Sequence, residues 1–262
     1  MTLCHALARD RSRTKVLEEL RRLLPKMEGF SAEVPTLSFG HAALDSYLPQ
    51  GGLAFGALHE VVPEADGGMP AAFGFIAALL GRIPRGGPLL FGMSARALAQ
   101  YGRLHGHGLN SLGLDPARVL LVETADEKQT LWAIEEALRS AAPAAVAGVI
   151  EGLDLKTSQR LHLITGDCGL PLLLLRPART LEASAATTRW RVGAAEAARD
   201  RFGLVARWRW HLRLERCRNG RPGEWLVEFD HVAHRFSLAA PLADPALYRS
   251  AGAQPPLQAN RS

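Results

Sequence analysis

Residues 57–70, Ala57-Leu58-His59-Glu60-Val61-Val62-Pro63-Glu64-Ala65-Asp66-Gly67-Gly68-Met69-Pro70, decide how this chain folds. Ala57–Val62 reads as a short strand, with Gly51, Gly52 and Gly56 punctuating the turn before it. Met69 to Leu80, rich in Ala and Phe, reads as a buried helix. A strand, a glycine-containing turn and a helix in that order make the place where a phosphate-binding loop sits. A working loop has the form GxxxxGK[ST]. Its backbone N–H groups cradle the phosphates, its lysine neutralises them and its hydroxyl holds magnesium. Here Val62 stands at the first glycine position, Gly68 at the lysine and Met69 at the hydroxyl. Pro63, Glu64 and Gly67 complete the turn, and Asp66 places negative charge where a polyphosphate would lie. Pro70 removes one more N–H, at a point in the first helical turn where proline is tolerated. The order of parts survives without the chemistry, so neither phosphoryl transfer nor a bound cofactor is expected.

Strand and helix signals alternate on both sides of this loop. Thr36–Phe39 reads as a strand upstream. Downstream, strands at Leu89–Met93, Arg118–Glu123, Ala147–Ile150 and Leu170–Leu175 are separated by helices at Ala95–Leu104, Glu127–Leu138 and Lys156–Ile164. Short apolar strands joined by helical crossovers predict a doubly wound, mostly parallel sheet buried on both faces. Glu151 closes the strand Ala147–Ile150, where an acid would hold magnesium or its water. With lysine and hydroxyl absent, Glu151 has little to act on and reads instead as a carboxylate bonded to Lys156 or to backbone. Asp154 is placed to cap the next helix.

Beyond residue 181 the period changes to two. In Arg207–Glu215, Trp208, Trp210, Leu212 and Leu214 share one face, and Arg207, Arg209, His211 and Arg213 share the other. A turn at 219–223 and a second alternating run, Trp225, Val227 and Phe229, complete an antiparallel hairpin along one sheet edge. With Arg189 and Arg191 from the alternating stretch 188–192, these arginines admit two readings. They are the solvated face of a half-buried sheet, or a basic strip that tracks a nucleic-acid backbone. The tryptophans read as core rather than as base-stacking platforms. At the other end, residues 12–25 place Val16, Leu17, Leu20 and Leu24 on one helical face, a surface for a partner or for the chain's own domain. From about Ala239 periodicity is lost, which predicts a mobile tail.

Composition narrows the classes further. The 262 residues carry no apolar run of membrane-spanning length and no apolar stretch typical of a leader, so a cytoplasmic protein is expected. The three cysteines, Cys4, Cys168 and Cys217, form no CxxC pair, and the histidine pairs His105/His107 and His231/His234 lack ligand-spaced partners, so no metal is expected. A net charge of +5 permits nucleic-acid contact without requiring it.

Gly40-His41-Ala42-Ala43-Leu44-Asp45, Gly51-Gly52-Leu53 and Gly56 through Glu64 together resemble the approach to the phosphate loop of RecA recombinases, which have Gly-Pro-Glu where this chain has Val62-Pro63-Glu64. Leu112–Leu120, Leu170–Arg179, Ala183–Val192 and Arg216–Asp230 are similar to the ImuA family, in the SOS-associated RecA/SulA-like group. The resemblance spans roughly residues 36–236. It implies a RecA-like three-layer α/β sandwich over 36–236 with an antiparallel C-terminal hairpin, an N-terminal arm over 1–30 and a tail over 239–262. It also implies an accessory role in DNA-damage-induced mutagenesis and translesion synthesis. The implied partners are an ImuB-like protein and an error-prone C-family polymerase, with RecA or DNA as further ones and self-association through the N-terminal helix. RecA proteins carry a catalytic glutamate just past the strand that is here Leu89–Met93; this chain has Ser94-Ala95-Arg96 there. Two rival readings stand: an ATPase with an unorthodox loop using Glu64 and Glu151, and a SulA-like inhibitor of cell division.

Overall fold

A computed structural model describes residues 35–239, except 85 and 181. The helical face of Val16, Leu17, Leu20 and Leu24 and the tail beyond 239 lie outside the described residues.

Five apolar strands run parallel to one another. They are β3 (Leu58–Pro63), β4 (Leu89–Ser94), β5 (Val119–Thr124), β6 (Ala145–Val149) and β7 (Leu172–Leu175), preceded by the two-residue strands β1 (Thr36–Leu37) and β2 (Leu53–Ala54), which pair with each other. β8 (Thr188–Arg199) joins β3 in parallel, and β9 (Val205–Cys217), β10 (Gly223–Asp230) and β11 (Arg235–Leu238) follow antiparallel. The resulting nine-stranded sheet has the order β11-β10-β9-β8-β3-β7-β6-β4-β5, a RecA-like layered arrangement. The expected hairpin is therefore part of a four-stranded meander. β11, after the turn at 231–234, was not legible because its four residues, Arg235-Phe236-Ser237-Leu238, are too few to display a period.

The helices are α1 (Ala42–Asp45), α2 (Met69–Gly81), α3 (Ala95–Tyr101), α4 (Gly106–Ser111), α5 (Glu127–Ser140) and α6 (Leu155–Cys168). α5 and α6 start where Asp126 and Asp154 accept hydrogen bonds from the N–H groups of Gln129 and Thr157, both at 2.8 Å. α6 stops at Gly169, whose φ of 71° suits a residue without Cβ. The helix expected over Ala95–Leu104 ends early, at Tyr101, because Gly102 turns the chain with φ 80° and α4 begins as a separate element.

Period-two alternation divides the core between the sheet's two faces. Leu172 and Leu174 pack with Leu58, Ile134, Leu138 and Leu161. Leu173 and Leu175 pack on the other side, with α2 and an aromatic cluster. In that cluster Trp190 is fully buried, with Phe39 at 5.3 Å and Phe75 at 5.9 Å between ring centroids. Each such side chain contributes roughly 1.5–3 kcal/mol by leaving water. Gly148 lets α5 lie close on the sheet: a Cβ there would come within 2.8 Å of Ile134 Cδ1 and 2.9 Å of the Gly92 carbonyl oxygen. Among the described residues no helix is long and apolar enough to cross a membrane.

Candidate functional site

β3 delivers the chain to the carboxyl end of the sheet, and there the loop closes on itself. The Glu64 N–H donates to the Val192 carbonyl at 2.8 Å, extending the ladder to β8. The Gly68 N–H donates back to the Ala65 carbonyl at 2.9 Å, and Gly67 takes the tight corner with φ 88°. In the first turn of α2, the N–H groups of Ala71 and Ala72 both donate to the Gly68 carbonyl, at 3.1 and 3.2 Å. Pro70 has no N–H to give. The Gly68 donor is thus spent inside the loop, and position 70 has none.

Beside the loop lies a cleft of about 270 Å³ lined by Pro63, Asp66, Met69, Arg96, Tyr101 and Glu151, among others. Its charges are matched in pairs. Arg96 lies 3.6 Å from Glu151, and Arg179 lies 2.7 Å from Asp66. Both arginines are mostly solvent-exposed, so these pairs are weak. Burial and the nearby Glu151 carboxylate push the Tyr101 phenol above its ordinary value, so it stays protonated. The backbone N–H groups of Glu151 and Gly152 both donate to the Glu127 carboxylate. Among the described residues, the partner of the Glu151 carboxylate is Arg96 rather than Lys156 or a backbone donor.

Glu64 does not line this cleft. Its carboxylate lies in the space left by Gly193, where a Cβ would collide with it. There it approaches His211 Nδ1 at 3.3 Å, while His211 Nε2 lies 2.7 Å from Glu224. Glu64 thus belongs to a carboxylate–imidazole–carboxylate chain across β8, β9 and β10. Spacing gave no hint of it, because it depends on a glycine far along the sequence. Among the described residues no group of His, Cys, Asp or Glu side chains is arranged to hold a metal ion. Burial pushes the Cys217 thiol up to about 11, leaving it inert at neutral pH.

The candidate basic strip is present as a face but is neutralised from within. Arg189 bonds Glu60, Arg191 bonds Glu215, and Arg207 and Arg209 both bond Glu228. Arg213 lies 3.3 Å from Glu215. Arg207 and Arg213 keep about half of their side chains exposed, 49% and 47%.

Beneath the cleft sits a cluster that the sequence reading did not single out. Arg176 is completely buried, with NH1 3.5 Å from Glu60 and NH2 2.7 Å from Glu182. It also donates to the Glu151 carbonyl at 3.3 Å, and Arg189 reaches Glu60 at 2.7 Å. Burial lowers the Arg176 pKa while the two carboxylates raise it. The cluster ties β3, β7 and β8 to the turn that follows β6. Its signal in the sequence is a single charge inside or directly after an apolar strand: Glu60 within Leu58-His59-Glu60-Val61-Val62, and Arg176 after four leucines.

These features define a class: a RecA-like layered domain whose phosphate-loop position carries neither lysine nor hydroxyl. No family model matches the chain. It is 35% identical over 238 residues to Protein ImuA from each of two strains of Caulobacter vibrioides, an overlap covering 82% of this chain and 93% of the relative. The chain belongs to the ImuA family.

Proposed function

We propose that this protein is a non-catalytic accessory factor of DNA-damage-induced mutagenesis and translesion synthesis, acting through protein contacts and without nucleotide hydrolysis. The observation that carries the second half is the closed loop: Gly68 and Met69 replace the lysine and hydroxyl, and the Gly68 N–H is bonded to Ala65. The kinship with Protein ImuA supports the first half. On this reading the partners are an ImuB-like protein and an error-prone C-family polymerase, with RecA or DNA as further ones. The contact surfaces are the N-terminal stretch with Val16, Leu17, Leu20 and Leu24 and the antiparallel extension, where Arg207 and Arg213 stay accessible.

The test is genetic. In cells lacking the gene, the wild-type chain restores damage-induced mutation and co-purifies with the ImuB-like protein. Glu151→Gln, which removes the acid that follows β6 in the cleft, restores both equally well. Loss of mutagenesis in Glu151→Gln with the protein still folded and abundant contradicts the non-catalytic reading. Truncation cannot replace point variants: a cut after Val192 divides β8 and strips β9 from the buried Trp190.

A further inference from the structure

The chain places three arginines close together where β9 turns into β10, in Arg216-Cys217-Arg218-Asn219-Gly220-Arg221. β8 runs parallel to β3 and β9 runs antiparallel to β8, so this turn lies at the amino end of the sheet, away from the loop and the cleft. Its backbone is fastened to the body of the domain. The Arg218 N–H donates to the Thr187 carbonyl at 2.8 Å, and the Arg221 N–H to the Tyr47 carbonyl at 3.0 Å. Gly220 allows the close approach to Tyr47: a Cβ there would come within 2.5 Å of the same carbonyl oxygen.

What surrounds these side chains sets them apart from the arginine strip on the sheet face. Arg189, Arg191, Arg207, Arg209 and Arg213 each pair with a glutamate. The turn arginines have partners that carry no negative charge. Arg216 donates to the Ser184 carbonyl, Arg218 lies 3.4 Å from Nε2 of His162, and the Arg221 guanidinium lies 4.5 Å from the centre of the Tyr47 ring. Among the described residues no carboxylate forms an ion pair with any of the three, and Arg216 and Arg221 are exposed. The terminal stretches do not supply the missing charge on balance. Residues 1–34 bring seven Lys or Arg against five Asp or Glu, and residues 240–262 bring two against one.

We propose that the β9–β10 turn binds the phosphodiester backbone of a nucleic acid through Arg216, Arg218 and Arg221. A guanidinium presents a planar fork that matches phosphate oxygens, and cations not already matched by carboxylates are what a phosphate backbone recruits. The Arg221–Tyr47 stack continues into Trp225, whose ring centre lies 4.8 Å from that of Tyr47. Aromatic faces beside cations are the combination that holds a nucleic-acid strand. The anchored backbone of the turn lowers the ordering cost of such a contact. This inference rests on the role proposed above only in taking nucleic acid as a partner. Co-purification of the ImuB-like protein with the variants below reads that role separately.

The experiment is fluorescence anisotropy of the full-length chain with a short labelled single strand and with its duplex, each over a range of salt. Arg216→Gln, Arg218→Gln and Arg221→Gln are combined in one variant, and Arg221→Gln is also made alone. Arg139→Gln, on α5, removes the same single charge elsewhere. Circular dichroism melting checks that each variant folds, and Arg221→Gln, whose guanidinium rests on a ring face, decides the matter if the triple variant does not. The wild type is expected to bind, and to bind more weakly as salt rises. The triple variant is expected to bind ~10-fold more weakly or worse. Its plot of log affinity against log salt should be shallower by roughly 2 on the single strand, at ~0.7 per phosphate contact. Arg221→Gln should shift both readings in the same direction, and Arg139→Gln neither. The tighter of the two nucleic-acid arms assigns single strand or duplex. A wild type that binds neither overturns the proposal, as does affinity unchanged in the triple variant and in Arg221→Gln, or an equal loss in Arg139→Gln. Loss of binding to phosphatidylserine vesicles in the triple variant, with oligonucleotide affinity intact, also overturns it and assigns the turn to a membrane surface.

Discussion

In the open cleft, Arg96 reaches Glu151 and Arg179 reaches Asp66 with the arginine side chains 80% and 87% exposed; beneath it, Arg176 and Glu60 meet with no exposure at all. The two clusters lie at the same end of the same strands, yet their physics differs. In water an ion pair yields little, because both partners were well solvated before they met. In the interior, either charge without the other is strongly unfavourable, so the cluster holds together as a unit. The buried charges therefore fasten the architecture, while the cleft charges can be lost at little cost to the fold. A nucleotide-hydrolysing site requires its strongest charges in the cleft, and this molecule has its most constrained ones below it.

Several substitutions sharpen or break that contrast. Arg176→Ala should be the most damaging, lowering unfolding free energy by ~3–5 kcal/mol because Glu60 is left buried beside a single remaining arginine. Chemical denaturation measures this, and Glu60→Leu combined with Arg176→Met should recover most of the loss. Next comes the neighbour of Glu60 on β3. His59 is fully buried, and its Nε2 must donate to the Ala54 carbonyl while Nδ1 accepts from the Thr188 hydroxyl. Burial lowers its pKa from 6.5 to about 4, so the folded state keeps it neutral. The unfolded chain takes up the proton first. Stability is therefore unaffected above pH 6.5, falls as pH drops below it, and has lost roughly 3 kcal/mol by about pH 4. In His59→Gln that part of the pH slope should vanish when denaturation midpoints are compared at pH 7 and 5.

Gly148→Ala should cost ~1–3 kcal/mol, since α5 has to back away from the sheet, and thermal unfolding reads this directly. At the bottom of the scale, Arg96→Ala and Asp66→Ala should each change stability by less than ~1 kcal/mol in the same assay. A cleft substitution that destabilised as much as Arg176→Ala would erase the distinction between the clusters.

The parallel half of the sheet was legible because its strands, β5 at the edge apart, are buried on both faces and composed of apolar runs such as Leu172–Leu175, with aspartate caps announcing α5 and α6. The absence of the loop's lysine and hydroxyl was equally legible, because it depends on residue identity at Gly68 and Met69. What sequence alone did not disclose depends on distant pairing. Glu64 leaves the cleft only because Gly193, delivered by β8, makes room for it. The arginine face was visible as a period of two, but its neutralisation by Glu215 and Glu228 needed the strand register. The far half of β8 was invisible for a simpler reason: Gly193 to Ala198 is almost all glycine and alanine, with no hydrophobic alternation to mark a strand.

The most direct test of the central claim is calorimetric titration of the full-length protein with ATP and magnesium, alongside a turnover assay on the same preparation. The account predicts no saturable heat up to millimolar nucleotide and no phosphate release above the buffer rate. Stoichiometric binding with turnover that survives purification and disappears in Glu151→Gln would contradict it, and would show that the cleft performs chemistry without the lysine and hydroxyl it lacks.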